Sequence, residues 1–213
     1  MRTLQKGLSL VELLVGLALG LFVVAAGLAG FAAQWREQRD ATQAMRLMQE
    51  LRTASAVIAR DLRRAAHWAA PSASQPNPYA AFAPQDAASD AAAYAYSRGA
   101  VEDHVLGGAE QFGLRLRRGV IELQLGAGNW QALTDAGTMR VTEFVLQPQT
   151  ERVPLLEHCE RPCPEGASCE AHVAVRRVAL RITARSSADA SLQRRVDTLV
   201  RIRNDVIGGA CPA

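Results

Sequence analysis

The sequence predicts an α+β fold in which a long N-terminal helix, membrane-spanning over its first half, packs its second half against an antiparallel β-sheet. Three observations carry this. No ionisable side chain occurs from Leu13 to Ala33. Residues 34–68 contain neither Gly nor Pro and repeat apolar side chains at three- and four-residue steps. Beyond residue 101 apolar and polar residues alternate, the period of half-buried strands.

The uncharged run of about 21 residues spans about 30 Å as a helix, the thickness of a hydrocarbon core. It exceeds the 7–15 apolar residues usual in a cleaved secretory signal. Arg2 and Lys6 precede it and place the N-terminus on the cytoplasmic side, leaving the C-terminal bulk outside. A single acid, Glu12, stands at the head of the run. One reading is local: "SLVE" has the capping-box pattern, with Ser9 as N-cap and Glu12 at N3. A negative charge in the first turn also suits the helix dipole. Gly16 and Gly20 have the spacing of close helix–helix approach, although glycine is common in membrane helices generally.

Taken together, "KGLSLVELLVGLALG" resembles the class III signal of type IV pilins and their relatives. The resemblance implies a leader of residues 1–7, a peptidase cut between Gly7 and Leu8, N-methylation of Leu8, and a transmembrane and assembly helix over 8–33. Glu12 then becomes the fifth mature residue, about 6 Å along the helix from the new amine. In a bundle of staggered subunits its carboxylate pairs with the terminal amine of a neighbour, because charges in lipid require partners. Two features depart from the pattern: Leu8 stands where Phe is usual, and no proline occurs in 8–33.

The helix is expected to continue to about His67, its half-buried stripe formed by Met48, Leu51, Ser55, Ile58, Leu62 and Ala65. "ARDLRRAAHW" is similar to the R-D-L-R-x-A-x-x-W stretch of minor pilins of the PilW kind and of J-type pseudopilins. Residues 69–100, rich in Ala, Ser, Pro and Asp, read as a long surface loop that Tyr79, Phe82, Tyr94 and Tyr96 pack onto the domain.

In the remaining region, 101–213, Leu114 and Leu116 lead into Arg117-Arg118-Gly119, a turn, and then Ile121, Leu123 and Leu125: a hairpin. "MRVTEFVLQ" is a further strand. "VAVRRVALRITAR" and "RRVDTLVRIRN" form a last hairpin, with Val178, Leu180 and Ile182 facing Val200, Thr198 and Val196. Arg176-Arg177 interrupts the alternation, which suggests a bulge. Extending this register brings Cys169 near Cys211 and leaves Cys159 with Cys163. An even number of cysteines beyond a membrane segment points to two disulfides in an oxidising compartment. The alternative, a metal held by Cys159, Cys163 and Cys169 with His158 or His172, lacks the paired C-x2-C spacing of common zinc sites.

The chain has 213 residues and a formal net charge of +3, too mild by itself to imply nucleic acid. Eight arginines lie between 176 and 203, without interleaved aromatics, and read as a solvated sheet face. Lys6 is the only lysine. The four histidines are scattered, and no nucleophile elbow, phosphate loop or H-E-x-x-H occurs. The expectation is therefore a structural protein without cofactor, metal or enzymatic activity, in the inner membrane with a periplasmic domain and then in a filament. The resemblance implies a minor type IV pilin; the alternatives are a J-type pseudopilin of a type II secretion system and an uncleaved, membrane-anchored binding domain. Implied partners are other minor and major pilins or pseudopilins, the prepilin peptidase/methyltransferase and the inner-membrane assembly platform.

Overall fold

The computed structural model describes residues 9–72, 75–99, 101–165 and 169–211. The chain divides into two compact units between Met45 and Arg46. Among the described residues helix α1 (Leu10–Leu62) comes first, followed by nine strands. Strands β1 (Phe82–Ala83), β2 (Ala91–Ala95), β3 (Gln111–Arg117), β4 (Val120–Leu125) and β5 (Trp130–Ala132) form a five-stranded sheet in sequence order. Strands β6 (Met139–Pro154), β7 (His172–Ser186) and β8 (Gln193–Arg201) form the second, and β9 (Val206–Gly208) pairs with β7 beyond the end of β8. All pairings are antiparallel. The fold is thus the α+β layout of a long N-terminal helix on antiparallel sheet, with the strands divided between two sheets.

In the second unit, the buried stripe of α1 is Leu47, Leu51, Ala54, Ser55, Ile58, Ala59 and Leu62. These residues recur at three- and four-residue intervals, and Leu47, Leu51, Ile58, Ala59 and Leu62 share a core with Phe112, Leu114 and Ile121 of the first sheet and Leu146, Val178, Leu180 and Ile182 of the second. Met48, expected on this stripe, is only half-buried; Leu47 takes its place.

The two hairpins follow their sequence pattern. Arg118 and Gly119 both have positive φ (53° and 82°), as a two-residue turn matched to strand twist requires. In the last hairpin Val178, Leu180 and Ile182 pair with Val200, Thr198 and Val196. No bulge falls at Arg176-Arg177: Arg176 opposes Thr150 and Arg177 opposes Gln149 in unbroken register. The strand alternation persists there because Arg176 occupies an inward position as an arginine. The irregularity lies instead in β6, between Val141 and Glu143.

Two further expectations are corrected. Helix α1 stops at Leu62, short of His67, although no Gly or Pro ends it. Its last carbonyls are taken locally, Ala59 O by the Arg63 amide (3.2 Å), Asp61 O by the Arg64 amide (2.9 Å) and Leu62 O by the Ala65 amide (3.2 Å), while the turn that follows is held by distant groups: Asn204 Nδ2 donates to Ala65 O (2.9 Å), Asn77 Nδ2 to Ala66 O (2.9 Å) and the Arg203 amide to Arg63 O (3.3 Å). Ala66 turns the chain with φ 61°, and its amide donates to Ala95 O of β2. Residues 69–100 are not loop throughout, since they supply β1 and β2. Tyr79, Phe82, Tyr94 and Tyr96 are all buried, and Tyr96 stacks on Phe112 with centroids 3.7 Å apart.

Asp61 ties helix to sheet. Its carboxylate is buried and accepts hydrogen bonds from the Tyr94 hydroxyl and, at 3.0 Å, the Tyr96 hydroxyl. Arg64 lies over the Tyr96 ring at 4.2 Å. Asp61→Ala removes the acceptor from both hydroxyls at once, so it should cost about 3–5 kcal/mol of unfolding free energy in denaturant titration, more than Tyr96→Phe alone.

Tyr79, Tyr94 and Tyr96 are the only tyrosines. Burial, reinforced by Asp61 beside Tyr94 and Tyr96 and by Glu102 and Glu110 beside Tyr79, raises all three above the ordinary value of 10.0. The native state therefore keeps protons that the unfolded chain releases; this stability is present below pH 10 and is lost as pH rises above it. An ultraviolet phenolate titration should show no tyrosine ionising near pH 10 in native protein, and all three ionising together on alkaline unfolding.

Candidate assembly site

Serine 9 begins α1. Its carbonyl accepts the Leu13 amide at 3.1 Å and its hydroxyl accepts the Glu12 amide at 3.2 Å, the arrangement of a side-chain N-cap. The Glu12 side chain is exposed and makes no ion pair among the described residues. Gly7 and Leu8 lie outside the described residues, as do Arg2 and Lys6.

Beyond Glu12 the helix exposes apolar side chains all round: Leu13, Leu14, Leu17, Leu21, Val24 and Leu28 are each more than half exposed. A helix apolar on every face is at home in lipid or a protein core, and this segment is long and apolar enough to cross a membrane. The helix continues without interruption through Gly16 and Gly20, where an added Cβ would meet nothing within 4 Å. At the end of the run Trp35 lies 5.9 Å from Phe31, with Arg39 over its ring at 5.6 Å. An aromatic ring followed by arginines is the composition of a membrane–water boundary. The stretch "FAAQWREQR" carries this composition in the sequence, as an aromatic pair four residues apart followed by two arginines.

At the opposite end of the sequence the four cysteines form two disulfides, Cys159–Cys211 and Cys163–Cys169, with Cα separations of 5.5 and 5.9 Å. The expected pairing of Cys169 with Cys211 and Cys159 with Cys163 is therefore incorrect. The register argument followed only β7 and its C-terminal neighbour. β9 does lie beside β7, shifted two residues outward, with His172 opposite Gly208. However, β6 also ends there, opposite His172, and the short 3-10 turn Leu156–His158 carries Cys159 to the exit of β9. Gly209 makes this convergence possible: its φ is 68°, and a Cβ would collide with the Glu170 carbonyl. With all four sulfurs in disulfides, the thiolates that a zinc site needs are consumed.

Four of the arginines on the arginine-rich sheet face have carboxylate partners. Arg177 pairs with Glu151 (2.7 Å), Arg181 and Arg195 with Asp197 (3.0 and 2.6 Å), and Arg201 with Asp205 (2.8 Å). Hydrogen bonds from Arg195 and then Arg181 hold Asp197 below its ordinary value. Arg176 differs. It donates to Ala80 O (2.8 Å) and Asn204 O (3.1 Å), fastening the 77–86 segment to the turn that caps α1, while its Nε is buried without a partner. Burial lowers its guanidinium from the ordinary value, with Asp205 opposing.

Histidines 67, 104, 158 and 172 are not brought together: His104 Nδ1 accepts from Trp68 Nε1 at 3.1 Å, while His172 lies beside Glu170 O. No group of three or more His, Cys, Asp or Glu able to hold a metal occurs among the described residues.

A single apolar helix feeding into an antiparallel α+β domain is the layout of pilins. The chain belongs to the family of prepilin peptidase-dependent protein B, which matches residues 40–202 and is pilin-related. The matched span includes the helix–sheet domain and Cys159, Cys163 and Cys169; it does not reach Gly7, Leu8, Glu12 or Cys211. The chain matches no curated protein and no solved structure.

Non-reducing digestion with a glutamyl endopeptidase should verify the disulfides, since cuts after Glu160 and Glu165 separate Cys159, Cys163 and Cys169. Cys159 should remain joined to Cys211, and Cys163 to Cys169. Replacing the first pair by Ser opens a sequence separation of 52 and should cost about 4 kcal/mol; replacing the second opens a separation of 6 and should cost about 2 kcal/mol.

Proposed function

We propose that this protein is a minor pilin: a structural subunit that is cut between Gly7 and Leu8, methylated at Leu8, and then primes or joins a pilus filament through Glu12. The observation that carries the reading is the exposed Glu12 carboxylate in the first turn of an otherwise apolar, membrane-length helix. Membership of a prepilin peptidase-dependent family supports processing at a leader, and with it contact with the pilus machinery. The unpaired acid is a cost of several kcal/mol in lipid until a cation reaches it, and a neighbour's new N-terminal amine is such a cation. Incorporation in correct axial register is thereby favoured over a subunit left alone in the membrane. The disulfides fit an oxidising periplasm for residues beyond the apolar helix. The partners are then other pilins, the prepilin peptidase/methyltransferase and an inner-membrane platform, with no part in catalysis.

The N-cap geometry makes a discriminating variant available. Gln at position 12 caps Ser9 as well as Glu does, but carries no charge. Glu12→Gln should insert normally and be cut after Gly7, yet reach sheared filaments or minor-subunit complexes at less than about a tenth of the wild-type level. Normal incorporation would reduce Glu12 to a helix-starting residue. Mass spectrometry of the mature chain should give N-methylated Leu8 as the first residue and no lysine; a chain beginning at Met1 or Arg2 would mean an uncleaved anchored domain.

A further inference from the structure

The strand edges of this domain are not equally guarded. β1 and β5 end the first sheet with two and three residues, and the outer edge of β6 is crossed by the bridge from Ser89 to Leu146. Short or covered edges do not recruit further strands. β8 ends the second sheet with nine residues, contains neither Gly nor Pro, and pairs with β7 in unbroken register. At the two ends of that ladder the Ser186 amide donates to Leu192 O (2.9 Å) and the Ile202 amide to Arg176 O (3.0 Å). Hydrogen-bonded positions alternate along an antiparallel pair. The even residues Val196, Thr198 and Val200 therefore direct their backbone groups at β7, and the odd residues Arg195, Asp197, Leu199 and Arg201 turn theirs to the open side. None of these outward amides and carbonyls has a partner among the described residues.

Beside this edge lies a groove of about 380 Å³, lined by Arg52, Ala56 and Arg60 of α1, Arg63 just after it, and Val196 and Thr198 of β8. Two contacts show that helix and strand run side by side in the same direction: Ser55 Oγ lies 3.0 Å from Thr198 Oγ1, and the Arg203 amide donates to Arg63 O at 3.3 Å. The three groove arginines are exposed, and none makes an ion pair among the described residues. Elsewhere on this chain Arg115, Arg177, Arg181, Arg195 and Arg201 each have a carboxylate partner. Arg52 and Arg60 stand about 12 Å apart along the helix, close to the ~13 Å between residues four apart on one face of a strand.

We infer that the β8 edge accepts an extended acidic segment of a different protein as an added strand. The backbone of the segment pairs with the outward groups of Arg195, Asp197, Leu199 and Arg201. Its inward side chains, acidic and two or four residues apart, reach Arg52, Arg60 and Arg63. The unpaired edge specifies an extended backbone, and the unpaired arginines specify the sign of its side chains. A second copy of this chain does not supply such a strand. No two of its acids stand two residues apart, and its one pair four apart, Asp86 and Asp90, flanks Ser89, which is already bridged to Leu146. The contact uses neither Glu12 nor the apolar helix, so it stands whether or not this chain enters a filament.

The test uses the full-length protein in detergent micelles and a fluorescent synthetic peptide of about ten residues in which Glu alternates with Val. By fluorescence anisotropy this peptide should bind at least about tenfold more tightly than the same peptide with Lys for Glu, and salt at 0.5 M should weaken it. Arg52→Glu with Arg60→Glu should weaken binding more than about tenfold. N-methylation of alternate peptide residues reads the backbone pairing: one phase should abolish binding, and the opposite phase should leave it intact. Leu199→Pro removes an outward amide without breaking the ladder to β7 and should also abolish it. In each variant the buried tyrosines, silent near pH 10, report that the domain is folded. No binding of the Glu peptide, equal binding of the Glu and Lys peptides, equal loss from both methylation phases, or unchanged affinity of the folded arginine variant would overturn the proposal.

Discussion

The domain depends on one helical face serving two sheets. Leu51, Ile58 and Leu62 are fully buried, and their neighbours are Leu114 and Ile121 from one sheet and Leu146, Leu180 and Ile182 from the other. The sheets touch each other directly only at restricted points, such as the bridge between Ser89 and Leu146 and the bond from the Val141 amide to Gly119 O. Without the helix, each would expose an apolar face to water. The turn that ends the helix is similarly dependent, because the carbonyls of Ala65 and Ala66 are satisfied by side chains from the segments after it. Asp61 sits where these requirements meet. A carboxylate buried beside two tyrosine hydroxyls is stable only if all three stay in place, so it fixes the rotation of the helix as well as its position.

This arrangement separates the chain's two kinds of apolar surface. In the domain, apolar residues lie on one stripe and face protein. In the N-terminal segment they lie on all sides and are exposed. The same helix thus changes character along its length, and Trp35 with Arg39 over its ring follows the apolar run. A charge costs more in an apolar surrounding than in water, so the position of Glu12 at the head of the apolar run differs in kind from that of a carboxylate on the solvated face near Arg52.

Much of this was legible in the sequence because it was periodic. The apolar run, the helical stripe from Leu51 to Leu62 and the alternation of Val178, Leu180 and Ile182 each state their element directly, and the hairpin register followed from the last. The parts that were not legible lack period or depend on distant residues. β2 reads "AAAYA", where alanine carries little patterning and only Tyr94 reports burial. The end of α1 has no Gly or Pro to mark it, and the turn beyond it is held by Asn77 and Asn204, which are distant in sequence. The cysteine pairing failed because three chain segments, not two, converge at the end of the second sheet. At the N-terminus the S-x-x-E spacing correctly indicated Ser9 as a cap, but a spacing cannot say what a carboxylate will pair with on another molecule.

The turn that follows α1 is held by Arg203 and Asn204, from near the other end of the chain. The bond from Asn204 to Arg64 O joins residues 140 positions apart. Synthesis makes the helix early, yet the groups that hold the turn after it are made almost last. Until then that turn lacks Arg203 and Asn204 and the core lacks Val200 and Ile202. The domain is therefore complete only when nearly the whole chain is present.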